Sequence, residues 1–299
     1  IFFKISISFV DISERLFIIF VRLVFNMCIM RDKVVIITGA SSGIGKALVF
    51  TLARQGAKIA MAARRLEELL VIEEELKQTT GAEIISIRTD VTKEQACKEL
   101  IEQTYAKFGR IDVLINNAGI SMRALLENLD TSVLHKVMDV NFWGTVYCTK
   151  YALPYLQQSK GSIVGVISIA GFIGLPGRTG YAASKFAVRG FLNTVRIENR
   201  KKGVHVLVAA PGFTASNIRK TALDADGHQQ GESPRDEKNM MTAEECARII
   251  VKGIRKRKRE IIMTFTEGKL AVFLSKWWPK LVDKLSYSHM AKEPNSPFK

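Results

Sequence analysis

Tyr181 and Lys185 stand four residues apart, about one helical turn, so a phenol and an amine share one helix face. A free tyrosine ionises near pH 10 and exchanges protons slowly at neutrality. A unit positive charge ~4 Å away at an effective dielectric of about 20 is worth roughly 4 kcal/mol, or about three pKa units before desolvation subtracts. The spacing therefore predicts a phenol that Lys185 makes acidic enough for general acid–base work. The same spacing also fits a surface tyrosine under a lysine stem, and the choice depends on the elements that hold the pair.

From residue 32 the chain alternates short β-branched runs with amphipathic stretches. Strands are expected at 33–38, 57–63, 82–90, 111–119, 161–171, 204–212 and 260–264. Helices are expected at 43–56, 65–81, 92–109, about 131–157, about 179–201 and about 242–257. Continuous apolar strands separated by helices predict an α/β fold: a Rossmann-like, doubly wound parallel sheet with helices on both faces. In such a sheet ligands bind at the carboxyl ends of the strands. Residues 30–265 form the expected single catalytic domain, 1–29 an apolar extension (an anchor or a leader foreign to the working protein) and 266–299 a tail. The long polar segment 213–241 leaves a strand end and is expected to be a lid.

The first strand runs into TGASSGIG, 38–45. Gly39 permits a tight turn, Gly43 lets backbone approach a phosphate, and Gly45 lets the helix pack on the sheet. Ser41 and Ser42 add hydroxyl donors, and Ile44 completes the turn. A dinucleotide pyrophosphate would sit on the positive helix end. At the end of the second strand, where an acid would bind a ribose 2′-hydroxyl, the chain has Ala63 followed by Arg64 and Arg65. Two guanidinium groups suit a 2′-phosphate, so NADP(H) is expected over NAD(H). Asp90, followed by Val91, could receive the adenine amino group or could begin a helix. Asn117, Ala118 and Gly119 follow the fourth strand.

T-G-x-x-x-G-I-G, N-N-A-G, Ser168 at the end of the fifth strand, Y-x-x-x-K thirteen residues later and P-G after the sixth strand occur in one order. Together they resemble the short-chain dehydrogenase/reductase family over about residues 31–265, with a layout most like its membrane-associated, steroid- and lipid-type reductases. The resemblance implies four catalytic positions. Tyr181 is the acid/base, Lys185 its partner, Ser168 the donor to the substrate oxygen, and Asn141 the holder of a water in a proton relay. It also implies nicotinamide contacts from Pro211, Gly212 and Thr214 and a homo-oligomer, dimer or tetramer. The chain departs from the commonest pattern in SIAG (168–171), where many members have two adjacent serines; Ser168 is kept.

The expected reaction is hydride transfer between nicotinamide and a carbonyl or secondary alcohol. Phe142, Trp143, Phe172, Ile173, Leu175 and Phe213 flank the expected site and predict a small apolar substrate. Three alternatives stay open: a 3-oxoacyl-thioester reductase served by an acidic carrier, a non-catalytic NADP(H)-binding regulator, and a membrane-surface scaffold driven by the two terminal segments. The 299 residues carry a net charge of +15, much of it in the runs 200–203 and 255–259. These runs lack aromatic interleaving, so no nucleic-acid partner is expected. The four cysteines are dispersed and the four histidines form no cluster, so no metal site is expected and a reduced, cytoplasmic setting fits. Trp277 and Trp278 beside lysines suit a membrane interface, so peripheral membrane contact is expected through 1–29 and 270–285, the rival being a helix packed on its own domain or on a dimer partner.

Overall fold

The structure, a computed structural model, describes residues 30–233, 240–293 and 296–298. The expected extension at 1–29 lies outside the described residues, as do 234–239 of the expected lid.

Seven strands form one parallel sheet: β1 Val34–Thr38, β2 Lys58–Ala63, β3 Ile84–Arg88, β4 Val113–Asn116, β5 Ser162–Val166, β6 His205–Ala210 and β7 Glu260–Ile262. Their order is β3-β2-β1-β4-β5-β6-β7. The central strands are buried on both faces, which is why they are continuously apolar instead of alternating. Helices α1 (Gly43–Ala53), α2 (Leu66–Thr80) and α7 (Ala243–Arg255) bury Leu48, Leu52, Leu69, Ile72 and Ile250 against Val35 and Ile37 on one face. Helices α3 (Glu94–Phe108), α5 (Gly144–Ser159) and α6 (Thr179–Glu198) cover the other, with Leu100, Leu156 and Leu192 against Ile36, Leu114 and Ile163. Each interior position of this kind is worth about 1.5–3 kcal/mol of transfer free energy. Cys97, Cys148 and Cys246 are buried free thiols within these layers.

The chain leaves β1 in one direction and β4 in the other, and the loops after them part to open a crevice. Two local features shape that crevice. The helical stretch expected over about 131–157 is two helices, α4 (Thr131–Met138) and α5, joined by a π turn at Asp139–Trp143. The fifth strand stops at Val166, and Ser168 caps a short 3₁₀ turn, accepting from Ala170 N at 3.2 Å.

The expected lid segment is a packed cover. Its ends are tied by Ala215 N to Met241 O (2.9 Å) and Met241 N to Phe213 O (3.2 Å). Leu223 is buried with Met122, Leu129, Val133 and Val137, a small core of its own over the crevice. The tail folds back on the domain as α8 (Ala271–Trp277) and α9 (Pro279–Ala291), burying Val272, Val282 and Met290. Trp277 and Trp278 stay on the surface, 68% and 57% exposed. No described helix is long and apolar enough to cross a membrane.

Candidate active site

The crevice is a cleft of about 800 Å³. One end begins at the glycine turn. Gly39 and Gly43 take positive φ, +66° and +53°, which a side chain would strain. A Cβ on Gly45 would be driven into Gly39 O and to 2.6 Å from Asn117 Nδ2. The third glycine thus lets the turn fold onto itself, where the expectation was helix-on-sheet packing. Thr38 and Asn117 lock the turn to the neighbouring loop. Thr38 Oγ1 accepts from Asn117 N and Ala118 N, both at 3.0 Å, and Asn117 Nδ2 donates to Thr38 O (3.0 Å) and Gly39 O (3.2 Å). Ser42 precedes α1 without a side-chain capping bond, and the first turn of α1 holds no acid. An uncapped helix start beside the half-buried, cleft-lining Ser41 and Ser42 is the donor set an anionic phosphate requires. The residues present therefore fit a dinucleotide.

Arg64 and Arg65 lie exposed on the cleft wall beyond the end of β2. They are not equivalent: Arg65 Nη1 is drawn to Glu68 Oε1 at 2.8 Å. Asp90 lines the cleft and accepts from Thr92 N (3.0 Å) and Thr92 Oγ1 (2.9 Å), which closes a turn; the helix begins later, at Glu94. Val91 lies beneath Gly144, where a Cβ would come within 2.8 Å of its Cγ2. Pro211 O accepts from Ile169 N (3.2 Å), and Gly212 leaves room for the Thr264 side chain. The hydroxyl of Thr214 turns back to Gly212 O (3.3 Å). Of the residues expected to hold the cofactor, all except Gly45 line the cleft, Ile44, Ala118 and Gly119 among them.

Ser168, Tyr181 and Lys185 meet further along the same wall. Lys185 is buried and its Nζ donates to Val166 O at 3.1 Å. The Nζ lies 5.7 Å from the centroid of the Tyr181 ring. Burial pushes the Lys185 ammonium down to about 8. Burial also raises the Tyr181 phenol; the hydrogen bond with Ser168 pulls it back, followed by the charges of Arg178 and Arg219. The expectation gave the acidifying role to Lys185. The amine is engaged with a carbonyl over the ring face, and the groups that lower the phenol are Ser168 and two arginines that the motif does not include.

Asn141 is held from both ends of its amide. Its Oδ1 accepts from Ile120 N (2.8 Å), and its Nδ2 donates to Ile120 O (3.0 Å) and Ser184 Oγ (2.8 Å). The side chain joins the loop after β4 to α6 and so positions the site. The π turn is what aims it there.

The expected apolar surround is mostly elsewhere. Of the six residues, only Leu175 and Phe213 line the cleft. Phe142 packs against Trp143 and Phe191, Phe172 carries Arg189 on its face at 3.8 Å, and Ile173 is in the core. Residues that sequence reasoning missed take their places: Ser121, Lys136, Arg178, Arg219, Met290 and Glu293. Glu293 arrives from beyond α9 and pairs with buried Arg123 at 3.2 Å. Only Arg178 had a sequence signal, as an arginine directly before an expected helix start. Asp224, Asp226 and His228 bring ligand-type atoms within 4.8 Å of one another. Asp224 Oδ1 there accepts from Asp226 N and His228 N, closing a turn.

A short chain dehydrogenase family profile matches residues 33–227. A Dictyostelium discoideum protein named dehydrogenase/reductase SDR family protein 7-like is 35% identical over 86% of this chain and 81% of its own length. An Arabidopsis thaliana protein named 11-beta-hydroxysteroid dehydrogenase-like 4A is 37% identical over 75% of this chain and 74% of its own. The crystal structure of an alcohol dehydrogenase from Thermococcus sibiricus, complexed with 5-hydroxy-NADP, superposes with a TM-score of 0.70 at 29% identity, covering 78% of this chain and 96% of that one. A short chain dehydrogenase/reductase from Burkholderia phymatum, in complex with NAD, has the same fold, with a TM-score of 0.75 at 24% identity over 84% of this chain and 95% of that one.

Proposed function

Because this chain belongs to the short chain dehydrogenase family and is an oxidoreductase, we propose that it reduces a ketone to a secondary alcohol, or runs the reverse reaction, with NADP(H). The observation that carries this reading is the meeting of Ser168, Tyr181 and Lys185 on one wall of a cleft whose far end is the glycine turn. When bound, the nicotinamide supplies or accepts the hydride. The chain's own residues handle oxygen and proton. Ser168 holds the substrate oxygen. Tyr181 gives that oxygen a proton in reduction and removes it in oxidation. Because burial keeps the phenol protonated, reduction needs no prior ionisation, whereas oxidation needs the phenolate and speeds up with rising pH. Lys185, fixed by Val166 O, holds a positive charge over the phenol ring and toward Gly119.

Two observations support NADP(H) over NAD(H). Ala63 stands where an acid would bind a free 2′-hydroxyl, and Arg64 follows it on the cleft wall without being drawn into the Arg65–Glu68 pair. The exposed side chains Phe273, Trp277, Trp278, Leu281 and Leu285 support peripheral membrane attachment of the tail. Co-flotation with vesicles, lost on Trp277→Ser with Trp278→Ser, is the expected result; no flotation would remove this attachment.

The test of the reaction is a screen of ketones, steroids and acyl thioesters with NADPH, followed at the nicotinamide absorbance. Tyr181→Phe should lower kcat by about 10³ with NADPH affinity nearly unchanged. Absence of turnover with every class, or a Phe variant that keeps its rate, would overturn the proposal. A regulator that only binds the dinucleotide would show the first of these outcomes.

A further inference from the structure

Ser184 stands inside α6, fully buried, on the turn that separates Tyr181 from Lys185. Alanine, which fills positions 182 and 183, holds a helix better than serine does. A buried hydroxyl also has to be matched with partners. One partner lies within the helix: Ser184 Oγ donates to Tyr181 O at 2.8 Å, a common arrangement for a helical serine. The other partner is remote. Asn141 Nδ2 donates to Ser184 Oγ at 2.8 Å from the π turn, 43 residues earlier in the chain. Local preference and placement disagree here, as they do at functional positions.

The bonds fix one another's direction. Asn141 Oδ1 accepts from Ile120 N and one hydrogen of Nδ2 goes to Ile120 O, which leaves the second hydrogen for Ser184. Ser184 Oγ accepts that hydrogen, so its own points to Tyr181 O. A chain of bonds thus runs from the loop after β4, through the π turn, to the main chain of Tyr181. The far end of the same helical turn is held from β5, by the bond from Lys185 Nζ to Val166 O. The parts stand close together: a Cβ on Gly119 would be 3.2 Å from Asn141 Oδ1 and 3.3 Å from Lys185 Nζ. Neither Asn141 nor Ser184 lines the cleft. Both reach the chemistry through the turn that carries Tyr181 and Lys185.

We infer, resting on the ketone reduction proposed above, that Ser184 is a positioning residue: it ties Asn141 to the turn 181–185 and so sets the Tyr181 phenol against Ser168. Without the hydroxyl, the second Nδ2 hydrogen of Asn141 is left unpartnered in a buried place, and the π turn and α6 must shift to relieve it. The Tyr181 ring then moves relative to Ser168. A small displacement at the reacting groups lowers the rate of the chemical step while leaving the binding of substrate and dinucleotide in place.

The full chain is assayed with NADPH and the fastest ketone of the screen above, and with NADP+ and the corresponding alcohol. Ser184→Ala should lower kcat by about tenfold, with KM and NADPH affinity within about twofold of the unmodified protein. The pH profile of oxidation should move upward. A looser bond between Ser168 and Tyr181 leaves the phenol harder to ionise, while the charges of Arg178 and Arg219 that act on it are unchanged. On top of Asn141→Ala, Ser184→Ala should cost less than about twofold more, since Ser184 acts through Asn141. Should Ser184→Ala fail to fold, Ser184→Cys, a side chain of similar size with a weaker donor and acceptor, gives the same readings. A serine that merely fills space would leave kcat and the pH profile where they are, and that result would overturn the inference with ketone reduction still standing. Losses that multiply in the double variant would also overturn it. No turnover of any ketone would remove ketone reduction, and the inference with it.

Discussion

At the cofactor end of the cleft, one contiguous loop, 38–45, makes the wall, and backbone geometry fixes its shape: two positive-φ glycines, a third glycine folded onto the first, and a Thr38–Asn117 lock. At the substrate end, side chains from four distant stretches make the wall: 121–123, 178–181, 213–223 and 290–293. The first end needs only a strand, a turn and a helix start to be correct. The second needs stretches from across the described chain, as far as 290–293, to be docked. An end built from one turn fails locally, and an end built by assembly fails cooperatively.

That difference can be broken from either side. Glu293→Gln removes one partner of the ion pair with Arg123, whose side chains are 5% and 6% exposed. Loss of one member of a buried pair costs about 3–5 kcal/mol, so a clear fall in Tm is expected. NADPH affinity should change far less, because Glu293 pairs with Arg123, outside the glycine turn. Gly45→Ala should do the reverse. Its Cβ meets Gly39 O, so NADPH binding should fall by about 100-fold, near 2.7 kcal/mol, with the tail still packed. Calorimetry and fluorescence titration of the two variants separate the effects; matched losses of both properties in both would erase the distinction between the ends.

Lys185 lies between the two ends and tests how far catalysis opposes stability. Burial lowers its ammonium from the ordinary 10.5 to about 8. Between those values the unfolded chain holds more protons than the folded one, so this residue's destabilising contribution is full below about pH 8 and fades as pH rises toward 10.5. At about 1.4 kcal/mol per unit the cost near neutrality is roughly 3 kcal/mol, and the bond to Val166 O offsets about 1 of it. Lys185→Met should therefore be more stable than the unmodified protein by about 2 kcal/mol at pH 7, with the advantage shrinking above pH 8, and should be nearly inactive. Urea unfolding at pH 7 and pH 10 measures it. A variant less stable at pH 7 would mean that packing, and not charge, governs this position.

The contrast between the ends also explains what the chain disclosed before it was folded. Strand and helix positions followed from apolar periodicity, because a sheet buried on both faces leaves no other use for runs such as Val34–Thr38. The glycine turn was legible because its constraints act within eight residues. Tyr181 and Lys185 were legible as a pair, yet their electrostatics were not. Whether the amine faces the phenol oxygen or a carbonyl depends on where Val166 ends its strand. Asn141's engagement depends on a π turn, which has no periodicity signal of its own. Arg219 and Glu293 could not be found, since nothing local distinguishes them from surface charges until the cover and the tail are in place. The aromatic residues misled for the complementary reason: proximity in sequence to Asn141 and Ser168 put Phe142 and Phe172 near the site, but helical phase turned them away from the cleft.

The smallest effect concerns two neighbours that the sequence could not tell apart. Arg64 and Arg65 both follow β2, but the guanidinium of Arg65 is held by Glu68 one helical turn on. An exposed pair of this kind is weak, yet it turns Arg65 along the helix and away from the place a 2′-phosphate would take. Arg64→Ala should therefore weaken NADPH by about tenfold while leaving NADH nearly untouched, and Arg65→Ala should weaken NADPH by no more than about threefold. Equilibrium titration with both dinucleotides gives the ratios. If the two substitutions prove equivalent, the exposed Arg65–Glu68 bond opens in solution, and the cofactor end would be assembled from mobile side chains after all, much like the substrate end.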